Sequence, residues 1–153
     1  MNAMTLPAKS YSILLCALLL LAAGCKKDEP ETLKSNKSQP AWTEPADYDY
    51  TSSMTAVVKV DLAAQFPDLT SDFKITDQDR LAAFSADKCL GVATPEDGLF
   101  YLFMVGADGS VTLRYYSAHY KNIFIANNAF AFQNDLHLGT VSQPFIPTFA
   151  VEK

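Results

Sequence analysis

The sequence predicts an all-β protein: a single antiparallel β-sandwich domain, preceded by a leader and a tether. Three observations carry the prediction. From Trp42 onward the dominant hydrophobic period is two, the spacing that puts alternate side chains on one face of a strand. Pairs suited to tight turns, Asp108-Gly109 and Asn127-Asn128, fall between apolar runs. Hydrophobic residues make up 49% and aromatics 12%, with ten Phe and seven Tyr, which is too apolar for a disordered chain.

The first residues do a different job. Lys9 and the terminal amine supply positive charge, Ile13 to Ala23 form an apolar run, and Ala22, Ala23 and Gly24 are small residues ahead of Cys25. This is the layout of a secretory signal peptide, expected over residues 1–24. A spanning helix needs about twenty apolar residues, so the run is too short to remain as a permanent anchor.

The stretch LAAGC, ending at Cys25, resembles the lipobox of bacterial lipoproteins, although the leucine sits at Leu21 and Ala22 takes the place it usually has. That resemblance implies cleavage between Gly24 and Cys25 and a diacylglyceryl group on the Cys25 sulfur. Each buried methylene is worth about 0.8 kcal/mol, so two or three acyl chains hold a protein on a bilayer firmly. Lys26-Lys27-Asp28-Glu29 resembles the lysine-then-acids signal of Bacteroidetes-type surface lipoproteins. It implies a protein of the outer membrane, lipid-anchored and facing outside the cell.

Residues 26–41 contain no aromatic residue, no hydrophobic period and two prolines, so residues 25–41 are expected to be the lipidated cysteine and a disordered linker. The domain is expected over 42–153. In MTAVVKVDL, Met54, Ala56, Val58, Val60 and Leu62 share one face, with Thr55, Val57, Lys59 and Asp61 on the other, as in a half-buried strand. Pro67 and several Asp, Ser and Thr residues then mark a long connection with room for one short element.

Thr76 to Phe84 has a capping-box look that would start a helix at Asp77. The stretch LAAFSADKCLGVA reads instead as two short strands joined by Ser85 to Lys88, with Gly91 at a bulge or a close-packing site. Residues 99–105 and 111–118 bracket GADGS and are expected to form a hairpin, the first strand being apolar on both faces as if packed from two sides. KNIFIA and AFAF, around Asn127-Asn128, predict another.

The string DRLAAFSADKCLGVA, followed by LFYLFMV and VTLRYYSAHYKNIF, resembles a module repeated in Bacteroidetes surface proteins, with an aspartate, Ala-Ala-Phe, a turn, Cys, Gly-Val-Ala and paired aromatic strands. Here Leu90 stands where a polar residue is usual between the cysteine and the glycine. The resemblance covers about Met54 to the C-terminus and implies a β-sandwich, immunoglobulin-like in general type, without a defined activity.

The functional signals are sparse. The full chain carries 17 acidic and 12 basic residues, for a net charge of −5, and no basic run follows Lys27, so nucleic acid is excluded as an expected partner. Cys89 is the one cysteine beyond Cys25, so no internal disulfide framework is expected; its reading is a small buried hydrophobe. His119 and His137 have no companions at metal-ligand spacing, and no metalloprotease, dithiol or nucleophile-elbow motif occurs. Asp77, Asp79, Asp87, Glu96, Asp97 and Asp108 read as solvated turn residues rather than a calcium loop.

The remaining signal is aromatic: Trp42, Tyr115, Tyr116 and Tyr120, with Tyr48 and Tyr50, are candidate ligand-binding side chains. Adjacent Tyr115 and Tyr116 must face opposite ways on a strand, which predicts one of them exposed. The expected function is therefore non-enzymatic binding or structural support without a cofactor or metal, with a glycan or protein partner at the cell surface. A glycan-binding accessory role is the alternative. An enzyme, using two carboxylates or Cys89 with His119, is a second.

Overall fold

The computed structural model describes residues 33–45, 51–67, 72–106 and 109–152. The leader, Cys25, Tyr48, Tyr50 and Asp108 lie outside these residues. Within the compact unit that starts at Thr32, the strands are β1 (Ser53–Val58), β2 (Arg80–Ser85), β3 (Lys88–Ala93), β4 (Pro95–Glu96) and β5 (Leu99–Val105). They are followed by β6 (Ser110–Ser117), β7 (Asn122–Ala126), β8 (Phe130–Ala131), β9 (His137–Leu138) and β10 (Phe149–Val151). One helical turn, α1 (Leu62–Gln65), is capped by the Asp61 carboxylate accepting from the Ala64 N–H.

These strands form two packed sheets, the all-β sandwich that the period-two pattern predicts. Sheet A runs β4-β5-β1-β9, and sheet B runs β10-β7-β6-β2-β3, with β8 beside the start of β6. All pairings between strands are antiparallel except β1 with β9. Alternation decides the interior. Met54, Ala56 and Val58 from β1, Phe100, Leu102 and Met104 from β5, and Val111, Leu113 and Tyr115 from β6 are all essentially inaccessible. Burying one such large side chain contributes about 1.5–3 kcal/mol.

The contested stretch is a hairpin of β2 and β3, as the strand reading expects, and it turns at Ala86 with φ of 50°. Leu90 is the extra residue of a bulge, since Ala83 faces Gly91 while Phe84 faces Cys89. Gly91 is the close-packing site: a Cβ there would stand 2.0 Å from the Phe103 carbonyl oxygen across the sandwich.

Both other expected hairpins are corrected. β5 pairs with β1 and, at Leu99 and Phe100, with β4, while β6 pairs with β2 and β7, so the two strands belong to different sheets and are not a hairpin. β8 pairs with β6 rather than β7 for a related reason. β7 covers only Arg114 to Ser117, which leaves the edge at Ser110 and Val111 for Phe130 and Ala131.

The linker expectation also fails over its second half. Leu33 is buried, Asn122 Nδ2 donates to its carbonyl (3.1 Å), and the N–H groups of Ser35 and Lys37 donate to the carbonyls of Tyr120 and Lys121. Lys37 Nζ meets Glu152 Oε2 at 2.7 Å, and with its amide oriented to match, the Gln39 side-chain oxygen accepts from Arg80 Nε at 3.0 Å. Trp42 ends the run, edge-on to Phe84 at 5.8 Å. Residues 33–42 are thus an arm laid over the outer face of sheet B. A segment too polar to fold by itself is ordered by hydrogen bonds to a sheet already formed.

Candidate functional site

The structure does not assemble the aromatic site expected from the sequence. Tyr115 and Tyr120 lie in the core, and Tyr116 is 5% exposed. Tyr115 and Tyr116 do face opposite ways, but the arm covers the outward one: the Tyr116 hydroxyl donates to the Lys37 carbonyl (3.3 Å). Tyr120 stacks on Phe73 at 5.8 Å, and Trp42 is half-buried against Phe84. These four side chains hold the fold together and present no common surface.

Tyr115 also organises a buried polar cluster. Its hydroxyl donates to Asp79 Oδ2, while Asp79 Oδ1 accepts from the Ala118 N–H and the Thr76 hydroxyl, each at 3.0 Å. Asp79 is fully buried, so this carboxylate is a structural staple, which corrects its reading as a solvated turn residue. Asp77, Asp87, Glu96 and Asp97 are exposed. Among the described residues no three His, Cys, Asp or Glu side chains gather to hold a metal.

Burial, then the neighbouring Asp79 charge, pushes the Tyr115 phenol well above its ordinary value; burial likewise raises Tyr116 and Tyr120. Below pH 10 phenols are protonated in both folded and unfolded chains, so this contribution to stability is fully present. Above pH 10 the unfolded chain sheds a proton that Tyr115 retains. Stability should then fall as pH rises, by up to about 1.4 kcal/mol per unit for this residue. Urea unfolding at pH 9, 10 and 11 should show a shallower decline in Tyr115→Phe than in the natural chain.

Cys89 is partly exposed on β3, with Sγ 3.7 Å from the Gly91 carbonyl oxygen, and burial raises its thiol pKa, the opposite of nucleophile activation. It is level with Phe84 and so with Thr112, near the start of β6, whereas His119 lies beyond Ser117 at the other end. Five strand residues, about 17 Å, separate those levels. The Cys89–His119 pairing is therefore not made. His119 Nε2 instead sits 3.2 Å from Asp72 Oδ2, its ring edge-on to Tyr120.

The surface that stands out is elsewhere. Among the described residues, the exposed large hydrophobic side chains are Tyr101 (43%), Phe103 (47%), Ile146 (52%) and Val141 (64%). Tyr101 and Phe103 lie on β5. Phe145 bridges to Val58 of β1, which puts its neighbour Ile146 on the β9 side of the same sheet, while Val141 lies in the turn closed by Thr140 and Gln143. The β5 strand is not packed from both sides as expected; Phe100, Leu102 and Met104 point in, and Tyr101 and Phe103 point out.

Register completes the site. Tyr101 stands opposite Val57 and Phe103 opposite Thr55, and these side chains, over the backbone of Ala56 and Leu102, line a shallow groove of about 270 Å³. Thr55 is hydrogen-bonded through Oγ1 to Nδ1 of His137, its partner on β9. Half of the signal was present in the sequence: the outward face of Met54–Leu62 contains Thr55 and Val57, whereas Tyr101 and Phe103 stood in a run read as packed from both sides. No helix among the described residues is long and apolar enough to cross a membrane. The chain matches no family model, no curated protein and no solved structure.

Proposed function

We propose that this protein is a lipid-anchored, non-enzymatic binding module of a bacterial outer membrane, displayed on the cell surface and binding through the outer face of sheet A. The observation that carries the reading is the exposure of Tyr101 and Phe103 side by side with Val57 and Thr55 on the outer face of sheet A, while the arm occupies the other sheet's outer face. Aromatic side chains at the centre of a neutral patch are what protein-binding surfaces use as anchors. The immunoglobulin-like general type and the membership in Bacteroidetes-type surface lipoproteins are parts of the same proposal, resting on the residues quoted above. A glycan-binding role draws less support, because Trp42, Tyr115, Tyr116 and Tyr120 are engaged within the fold and the groove is lined almost wholly by apolar groups.

The anchor is the first element to test. With the folded unit starting at Thr32, six residues, Lys26 to Glu31, follow Cys25 before it. Cys25→Ser should leave the leader uncleaved and abolish incorporation of labelled fatty acid. Extracellular protease added to intact cells should degrade the natural protein. A Cys25→Ser chain still cut after Gly24 and still sedimenting with washed membranes would overturn the anchoring.

A further inference from the structure

We infer that the partner docked on the outer face of sheet A is a protein segment with an apolar ridge flanked by lysine or arginine side chains; this rests on the binding-module reading above. The centre of the face is neutral and apolar: Val57, Tyr101 and Phe103 beside Thr55. Its rim is acidic. Glu96 pairs with Leu99, two residues before Tyr101, so its side chain emerges on the same face. Asp97 follows it at φ of 51°, and at the opposite corner Asp135, at φ of 61°, lies two residues before His137. Glu96, Asp97 and Asp135 are all exposed.

Among the described residues Lys59 is the ammonium on this face, and it stands 3.5 Å from Asp61, which offsets it locally. The face therefore offers apolar area, two aromatic rings and a surplus of negative charge. A basic side chain beside an apolar anchor satisfies all three, since aromatic faces and carboxylates both attract cations. A second copy of this chain would bring the same acidic rim against itself and a net charge of −5, which opposes association. A sugar would need polar groups in the groove, where the Thr55 hydroxyl is already engaged with His137.

The test pans immobilised full-length protein against a displayed library of random twelve-residue peptides, with Tyr101→Ser/Phe103→Ser protein as counter-selection. Both side chains are half-exposed on the outer face, so the variant is first checked for a cooperative thermal transition above the assay temperature, with Tyr101→Ser and Phe103→Ser carried singly beside it. The expected result is enrichment of peptides with apolar cores flanked by Lys or Arg. Their binding should weaken at least tenfold on Tyr101→Ser/Phe103→Ser. It should weaken severalfold on Glu96→Gln/Asp97→Asn/Asp135→Asn, and severalfold in high salt. Face-dependent binders that are acidic or uncharged would overturn this inference and leave the binding face standing. So would face-dependent binding of a sugar on a glycan array, or face-dependent dimers in sedimentation. Finding no ligand whose binding depends on Tyr101 and Phe103 would overturn both.

Discussion

Gly91→Ala should destabilise the domain by roughly 3–5 kcal/mol, a large share of the 5–15 kcal/mol that holds an ordinary domain together. An added Cβ would lie 2.0 Å from the Phe103 carbonyl oxygen and 3.0 Å from its carbonyl carbon. Those atoms are backbone, held in the β5 ladder with β1, so relief requires moving the strand edge of one sheet away from the other. Elsewhere in a strand the same substitution gains about 0.5–1 kcal/mol, because glycine loses the most backbone freedom on folding. Sign as well as size is therefore diagnostic.

Gly106→Ala supplies the contrast. Its Cβ would meet the tip of the Leu90 side chain at 3.3 Å, a group that can turn aside. Urea unfolding should place Gly106→Ala within about 1 kcal/mol of the natural chain. If Gly91→Ala were equally mild, the close approach of β3 to β5 would not be a feature of the folded protein. The Phe103 side of the groove, which depends on that approach for its support, would be placed wrongly too.

What the sequence discloses and what it hides follow one physical line. Local alternation was enough for Met54 to Leu62, whose inward face is the predicted one; the two strands around Ser85 to Lys88 form although β2 holds no β-branched residue, its Leu and Ala are good helix formers, and four consecutive side chains, Leu81 to Phe84, are buried. Gly91 was legible for a related reason, since a glycine inside a strand pattern has few other uses. Pairing partners were not legible, because alternation says which side chains face inward and not which strand lies alongside. The two apolar runs flanking Asp108-Gly109 belong to opposite sheets of one core, and in sequence they look the same as two strands of one hairpin.

The candidate site was hidden by the same limitation. Tyr101 looked like core because β5 is apolar on both faces, and for Tyr115 and Tyr116 alternation predicted that one of them would be exposed. The arm reverses the second reading: Leu33, Lys37 and Trp42 are isolated contacts in a polar stretch with no period to announce them. Order there is donated by the sheet, and a local reading of residues 33–42 has nothing to detect.

Asp79→Ala should have the second large effect, about 3–5 kcal/mol, and it separates a structural staple from a surface carboxylate. Removing the carboxylate leaves the Tyr115 hydroxyl, in the core, and the Ala118 N–H without the acceptor each uses. An unsatisfied buried donor costs about 1–3 kcal/mol, and a small cavity adds to it. Asp79→Asn keeps the shape and one acceptor oxygen, so it should lose less, about 1–2 kcal/mol. Tyr115→Phe takes away one donor to a buried carboxylate and should lose about 1.5–3 kcal/mol. Because the two groups spend their polarity on each other, the double variant should fall short of the summed losses by about 1–3 kcal/mol. Additive losses in urea unfolding at pH 7 would mean that the two side chains do not meet. Asp79 would then be one more solvated turn residue, and the start of β2 would be held by something other than the β6 tyrosine.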